Sequence, residues 1–159
     1  MQAFPHQYTV TATGSAEGEV GLEGKGLPRL FSAPPTEFDG PGNRWSPETM
    51  VVAAVADCFV LTFRALARFA RLPWACLTCA ATGTLDRVDR VTQFTAFTVH
   101  ASLDIPEGVS EEQATKLLVR ADETCLIANS LKANCHLNAS VRVIEQATVD
   151  PPNELRRCA

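Results

Sequence analysis

The sequence predicts an α+β fold in which antiparallel sheets pack around one long, buried central helix. Three observations carry that expectation. The N-terminal third has short β-type runs broken by glycines, Met50 to Leu72 is a long apolar stretch opened by a helix-start signal, and later segments alternate apolar with polar residues. A chain of 159 residues is enough for one sizeable core and short for two. We expect a single domain over residues 1–149 and a loosely held tail over 150–159, where prolines and charges accumulate.

Each element has its own signal. From Tyr8 to Phe31, the run Tyr8-Thr9-Val10-Thr11 and the turn residues Gly14, Gly18, Gly21, Gly24 and Gly26 read as a small antiparallel meander. Pro34-Pro35 and Asp39-Gly40-Pro41-Gly42-Asn43 form a loop that cannot continue a strand. Ser46-Pro47-Glu48 then opens a helix. Ser46 suits the N-cap, Pro47 the first helical position, and Glu48 complements the positive end of the helix dipole. This helix is expected to run to about Arg71 and to stop at Pro73. Asp57, Arg64, Arg68 and Arg71 share one narrow polar face, so the helix should be buried on most other sides.

Two strands follow, near Cys76–Leu85 and Thr92–Leu103, with Asp86 to Arg90 turning between them. Pro106-Glu107-Gly108 ends the second. Ser110-Glu111-Glu112 starts another helix with Ala114, Leu117, Leu118 and Ala121 inward, a short helical piece spans Leu126 to Leu131, and His136 to Ile144 alternates as a last strand.

Composition narrows the function. A formal charge of −4 and no basic patch argue against nucleic-acid binding. The apolar stretch is long enough to cross a membrane, but Asp57, Arg64, Arg68 and Arg71 would be costly there, so no membrane span is expected. Met1 to Val10 lacks a basic start followed by an apolar run, so no signal peptide is expected and the protein is read as cytoplasmic. Six cysteines in that compartment are not a disulfide framework; they are reactive, metal-binding or inert thiols.

Cys58 lies mid-helix on a stripe with Val51, Val55, Thr62 and Phe69, turned away from Asp57. Cys125 sits at the junction of two helices, where free backbone N–H groups would stabilise a thiolate. Cys76 and Cys79 spell CxxC, yet three residues apart on a strand they point to opposite faces, which is wrong for chelation. No metal and no bound cofactor are expected, and Cys76, Cys79, Cys135 and Cys158 are read as structural thiols. His6, His100 and His136 show no spacing to either cysteine that would make a nucleophile–base pair.

The run Ser46-Pro47-Glu48-Thr49-Met50-Val51-Val52-Ala53-Ala54-Val55-Ala56-Asp57-Cys58-Phe59, together with Cys125-Leu126-Ile127-Ala128-Asn129-Ser130-Leu131, resembles the OsmC/Ohr family of peroxide-reducing proteins. The resemblance implies an intertwined homodimer with two active sites at its interface. It implies a peroxidase in which Cys58 attacks a hydroperoxide and becomes a sulfenic acid, and Cys125 condenses with it to a disulfide. An external dithiol, such as a lipoylated protein, then restores both thiols. It also makes Glu48 the acid of the site. Ten residues of straight helix span about 15 Å, so Glu48 and Cys58 of one helix cannot touch, and a site using both needs a bend or a facing chain.

The Ohr branch of the family carries an arginine in its meander that pairs with this glutamate. The matching stretch here, Thr13-Gly14-Ser15-Ala16-Glu17-Gly18, has none, and neither Arg29 nor Arg44 matches the motif. The alternative reading is therefore a non-catalytic relative, a redox-sensing or small-ligand-binding dimer. The retained cysteine pair favours the enzyme.

Overall fold

The computed structural model describes residues 3–145; the tail over 150–159 and Cys158 lie outside the described residues. The chain divides into two compact units, Met1–Val51 and Val52–Ala159, with the boundary inside the long helix.

The first unit holds the expected meander. Strands β1 (Val10–Thr13), β2 (Val20–Gly24) and β3 (Leu30–Ser32) pair antiparallel in that order. After β3 the chain leaves through Pro34-Pro35, makes a single 3-10 turn over Thr36–Phe38, and returns so that Ser32 and Trp45 bridge in parallel. Gly40 permits the return. Its amide donates to the Pro35 carbonyl at 2.9 Å, and a Cβ there would sit 1.6 Å from the Pro34 carbonyl oxygen. Only glycine allows two backbone segments so close.

Helix α1 (Pro47–Ala70) starts where expected. The Thr49 amide donates to Ser46 Oγ at 3.1 Å, and the Ser46 amide donates back to Thr49 Oγ1 at 2.8 Å. This reciprocal box uses Thr49 in the place usually held by Glu or Gln. The Glu48 carboxylate is left free of any capping duty. The helix ends at Ala70, with Arg71 in the left-handed region (φ 53°) and the Leu72 amide returning to the Ala67 carbonyl at 2.9 Å.

In the second unit β4 (Cys76–Val88), β5 (Val91–Pro106) and β6 (Asn134–Ile144) form one sheet in the order β4-β5-β6. Both hairpin strands are longer than the sequence suggested. The turn shrinks to Asp89-Arg90, both with positive φ (50° and 67°), the geometry that matches strand twist and lets pairing run to Val88 and Val91. β6 joins β5 in parallel, its return made possible by α2 (Glu111–Thr124) and the short α3 (Leu126–Ser130). Ser110 caps α2 by accepting from the Gln113 amide.

Alternation on β5 sorts its faces as read from the sequence. Phe97, Val99, Ala101, Leu103 and Ile105 are buried, while His100 and Ser102 face outward. α2 contributes Ala114, Leu118 and Ala121 to the same core, and α1 contributes Val55, Phe59, Phe63 and Ala67. Gly83 of β4 lets the helix approach: a Cβ there would meet Val52 Cγ2 at 2.9 Å and the Phe94 ring at 2.7 Å. Burial of α1 is narrower than its composition implied. Only that one stripe is fully covered, whereas Leu61 and Phe69 stand 49% and 92% exposed, so Phe69 departs from the inward stripe expected to join it to Cys58. The physical reason is that one sheet face covers one side of a helix, leaving the other side for a further surface.

Replacing Gly40 with Ala is expected to destabilise the fold by roughly 1–3 kcal/mol, the usual cost of forcing atoms into packed backbone. A lowered urea midpoint at unchanged slope is the expected readout, and an unchanged midpoint would mean the Pro34–Gly40 approach is not rigid.

Candidate functional site: a cysteine pair beside a short helix

Cys58 sits on the flank of the buried α1 stripe and is half-buried, while its neighbour Asp57 points outward as the helical spacing required. Thr62, one turn on, lies with its hydroxyl 4.0 Å from Cys58 Sγ. Cys125 is fully buried and serves two elements at once, as the C-cap of α2 and the N-cap of α3. The bend it makes (φ −63°, ψ 111°) starts α3 alongside α1. There the Ile127 amide donates to Cys58 Sγ at 3.5 Å. A residue 69 positions further along the chain thus supplies the backbone donor to the central-helix sulfur.

The two sulfurs are neighbours as well as the two segments. Both thiols are free, and Cys125 is pushed up from 9.0 to about 11. Burial is the main cause. Hydrogen bonding and charge from Cys58 push the same way, against the lowering effect of the Ala128 and Ile127 amides. The sequence expectation that helix N–H groups would make Cys125 the stabilised thiolate is therefore corrected. The amides are present, but desolvation outweighs them, and Cys125 holds its proton.

Glu48 is placed differently. It lies on the first turn of α1, in the first unit, and one of its carboxylate oxygens, Oε2, is buried without a hydrogen-bond partner among the described residues. It lines a largely apolar cavity of about 270 Å³ together with the buried Ser32 and with Val20, Ala33, Phe38 and three prolines, Pro34, Pro35 and Pro47. The two cations that the sequence offered are engaged elsewhere. Arg29 pairs with Glu23 and lies over the Phe31 ring, and Arg44 pairs with Glu19.

Cys76, Cys79 and Cys135 are separate from this pair, and Cys76 is disulfide-bonded, which corrects its reading as a thiol. β4 register sets Cys76 opposite Asp104 and Cys79 opposite Ala101, so they alternate faces as the CxxC reading required. Burial raises Cys79 to about 11. Cys135 on β6 is raised by burial and by the charge of Asp122. What sequence reasoning missed was the Ile127 amide and the cavity walls. Neither has a sequence signal, because one is a backbone group and the other is made mostly of ordinary apolar residues.

The α+β fold thus brings a central-helix cysteine beside a second cysteine at a helix junction. The sequence profile described as OsmC-like protein matches residues 40–140, and the chain belongs to the OsmC-like family. The Bacillus subtilis protein YmaD, itself uncharacterised, is 25% identical over 112 residues, covering 69% of this chain and 75% of YmaD. An OsmC-like protein of unknown function from Vibrio cholerae superposes with a TM-score of 0.77 at 20% identity, over 86% of this chain and all of that one. An organic hydroperoxide resistance protein, OsmC, from Legionella pneumophila gives 0.68 at 24% identity, over 87% and 98% of the two chains. One from Elizabethkingia anophelis gives 0.71 at 20%, over 90% and 100%. These likenesses establish the fold.

Removing the Cys58 sulfur should lower the Cys125 pKa, since both of its upward contributions disappear while burial remains. In Cys58→Ser, the pH midpoint for alkylation of Cys125, followed peptide by peptide by mass spectrometry, is expected below about 11 and still above 9.0. A midpoint unmoved by the substitution would show that the two sulfurs do not interact.

Proposed function

We propose that this chain is a cytoplasmic thiol peroxidase for organic hydroperoxides, working as a homodimer with Cys58 as attacker and Cys125 as resolver. The observation that carries the reading is the convergence on one sulfur. Cys58 Sγ receives the Ile127 amide and borders a Cys125 thiol that keeps its proton. A reacting thiolate and a waiting thiol are the two partners that disulfide formation needs.

The steps balance as follows. The Cys58 thiolate attacks the terminal oxygen of ROOH, the O–O bond breaks, and RO⁻ takes a proton and leaves as ROH, with Cys58 oxidised to the sulfenic acid. The Cys125 sulfur then attacks Cys58, the S–O bond breaks, and hydroxide leaves with the Cys125 proton as water. An external dithiol reduces the disulfide by two thiol–disulfide exchanges and ends as its own disulfide.

Glu48 would enter from the second subunit, because ten helical residues separate it from Cys58 on its own chain. The uncovered side of α1, with Leu61 and Phe69 exposed, supports such a partner surface. A solution mass of twice 17.2 kDa is expected by light scattering. A mass of one chain at assay concentrations would remove Glu48 from the mechanism. The unpartnered Glu48 oxygen favours the second reading, a ligand-binding or redox-sensing dimer, because no described arginine pairs with it.

Peroxide consumption with dihydrolipoamide separates the two. The parent should turn over, Cys58→Ser should fall to background, and Cys125→Ser should stop after one equivalent with a sulfenic acid that dimedone traps. Equal background rates for all three would sink the enzyme reading. The raised Cys125 pKa sets the pH dependence. The thiolate is scarce at neutral pH and grows about tenfold per unit below the pKa, so disulfide formation should accelerate as pH rises from 7 to 9.

A further inference from the structure

A disulfide between Cys58 and Cys125 can be reopened at either of its two sulfurs, and the two are not equally open. Cys58 is half-buried on the flank of α1, whereas Cys125 is 1% exposed. Three groups close around the Cys125 sulfur: the Ala128 and Ile127 amides of α3, and Cys58 itself. Four residues back on α2, Ala121 is fully buried as well. A thiolate that opens a disulfide must touch the sulfur it attacks, in line with the S–S bond and opposite the sulfur that leaves. At Cys125 every approach not already taken up by Cys58 passes through protein, so attack there waits for α3 to lift from the bend. Cys58 has no such cover.

We infer that the external dithiol attacks Cys58 and expels the Cys125 sulfur, because burial shields Cys125, so the mixed disulfide forms on the sulfur that the hydroperoxide oxidises. The inference rests on the pairing of Cys58 with Cys125 proposed above and adds the direction in which that pair is reopened. The bonds balance. The dithiol's thiolate forms an S–S bond to Cys58, the Cys58–Cys125 bond breaks, and Cys125 leaves as a thiolate that takes up a proton. The dithiol's second thiolate then attacks its own first sulfur, Cys58 leaves as a thiolate, and the dithiol ends as its disulfide. The Ile127 amide, which donates to Cys58 Sγ at 3.5 Å, meets that departing charge. Leaving-group chemistry pulls the other way. A thiol pushed up to about 11 leaves slowly, which disfavours attack at Cys58. That effect changes a rate, whereas burial removes contact altogether until α3 opens, so access decides the direction. A hydroperoxide must also reach Cys58 to be reduced, and one passage then serves both halves of the cycle.

Trapping the mixed disulfide tests it. The parent protein is oxidised with diamide, mixed briefly with 2-mercaptoethanol and quenched with excess N-ethylmaleimide. A monothiol lacks the second thiol that would release it, so its adduct marks the sulfur attacked. The tryptic peptides 45–64 and 121–132 each carry one cysteine of the pair and no other, and mass spectrometry reads both. Mercaptoethanol on 45–64 with maleimide on 121–132 is expected in about tenfold or greater excess over the reverse pattern, as attack confined to the accessible sulfur requires. In protein unfolded by urea before the thiol is added, neither sulfur is covered and the excess should vanish. The reverse pattern, or an equal mixture in the folded protein, overturns the inference. So does an excess that persists after unfolding, since burial is then not its cause, and so does failure of diamide to join the two cysteines. If diamide joins them and a hydroperoxide does not, the peroxidase reading falls while the direction of attack is still measured.

Discussion

The alternating face of β5 is the constraint on which the second unit depends. Five of its residues, Phe97 to Ile105 at every second position, must leave water together, and no single neighbour is large enough to cover them. α1 offers Val55, Phe59, Phe63 and Ala67, and α2 offers Ala114, Leu118 and Ala121. Each fully buried Val, Leu or Phe among them contributes about 1.5–3 kcal/mol, so burial holds both helices to the sheet. The position of the cysteines follows from that. Cys58 rides on the edge of the buried α1 stripe, and Cys125 marks the bend by which the chain leaves α2 and comes back beside α1 before starting β6.

That bend also decides the chemistry of the pair. A backbone turning at Cys125 cannot satisfy every amide of α3 internally, and one of them, at Ile127, ends on the Cys58 sulfur. The same packing removes water from Cys125. Two effects of opposite sign therefore act on the Cys125 sulfur. Donor amides favour negative charge, and desolvation opposes it, with desolvation the stronger at Cys125. A burial that looks like plain core packing thus holds the Cys125 thiol protonated.

At Glu48 the economy is different, since the local fold could have used this acid as a helix cap and does not. Thr49 takes the capping position, and the nearby arginines pair with other carboxylates of the meander. The result is a polar atom kept dry by prolines and small apolar residues. Such an atom is costly to keep buried without a partner.

Much of this was legible in the residues themselves. Ser46-Pro47 set the start of α1 because capping and a fixed proline φ are local physics, and Pro73 set its end region for the same reason. Alternation along Phe94–Ala101 sorted β5 into two faces, since period two is a property of the strand, and packing decided which of them is buried. The outward aspect of Asp57 followed from helical spacing. Other features depended on contacts between distant residues. The parallel return of β6 turned on how α2 packs, the length of the β4–β5 hairpin on two positive-φ residues with no glycine to announce them, and the partial exposure of α1 on how much of it one sheet can cover. The amide at Cys58 comes from 69 residues away, and the balance at Cys125 between amide donors and lost water is a matter of packing. By itself the sequence determined the elements, the family motif and the identity of the two cysteines, because those are local patterns. Only the tertiary structure decided that Cys125 keeps its proton and that Glu48 Oε2 meets no partner among the described residues, because burial and partnership are properties of neighbours in space.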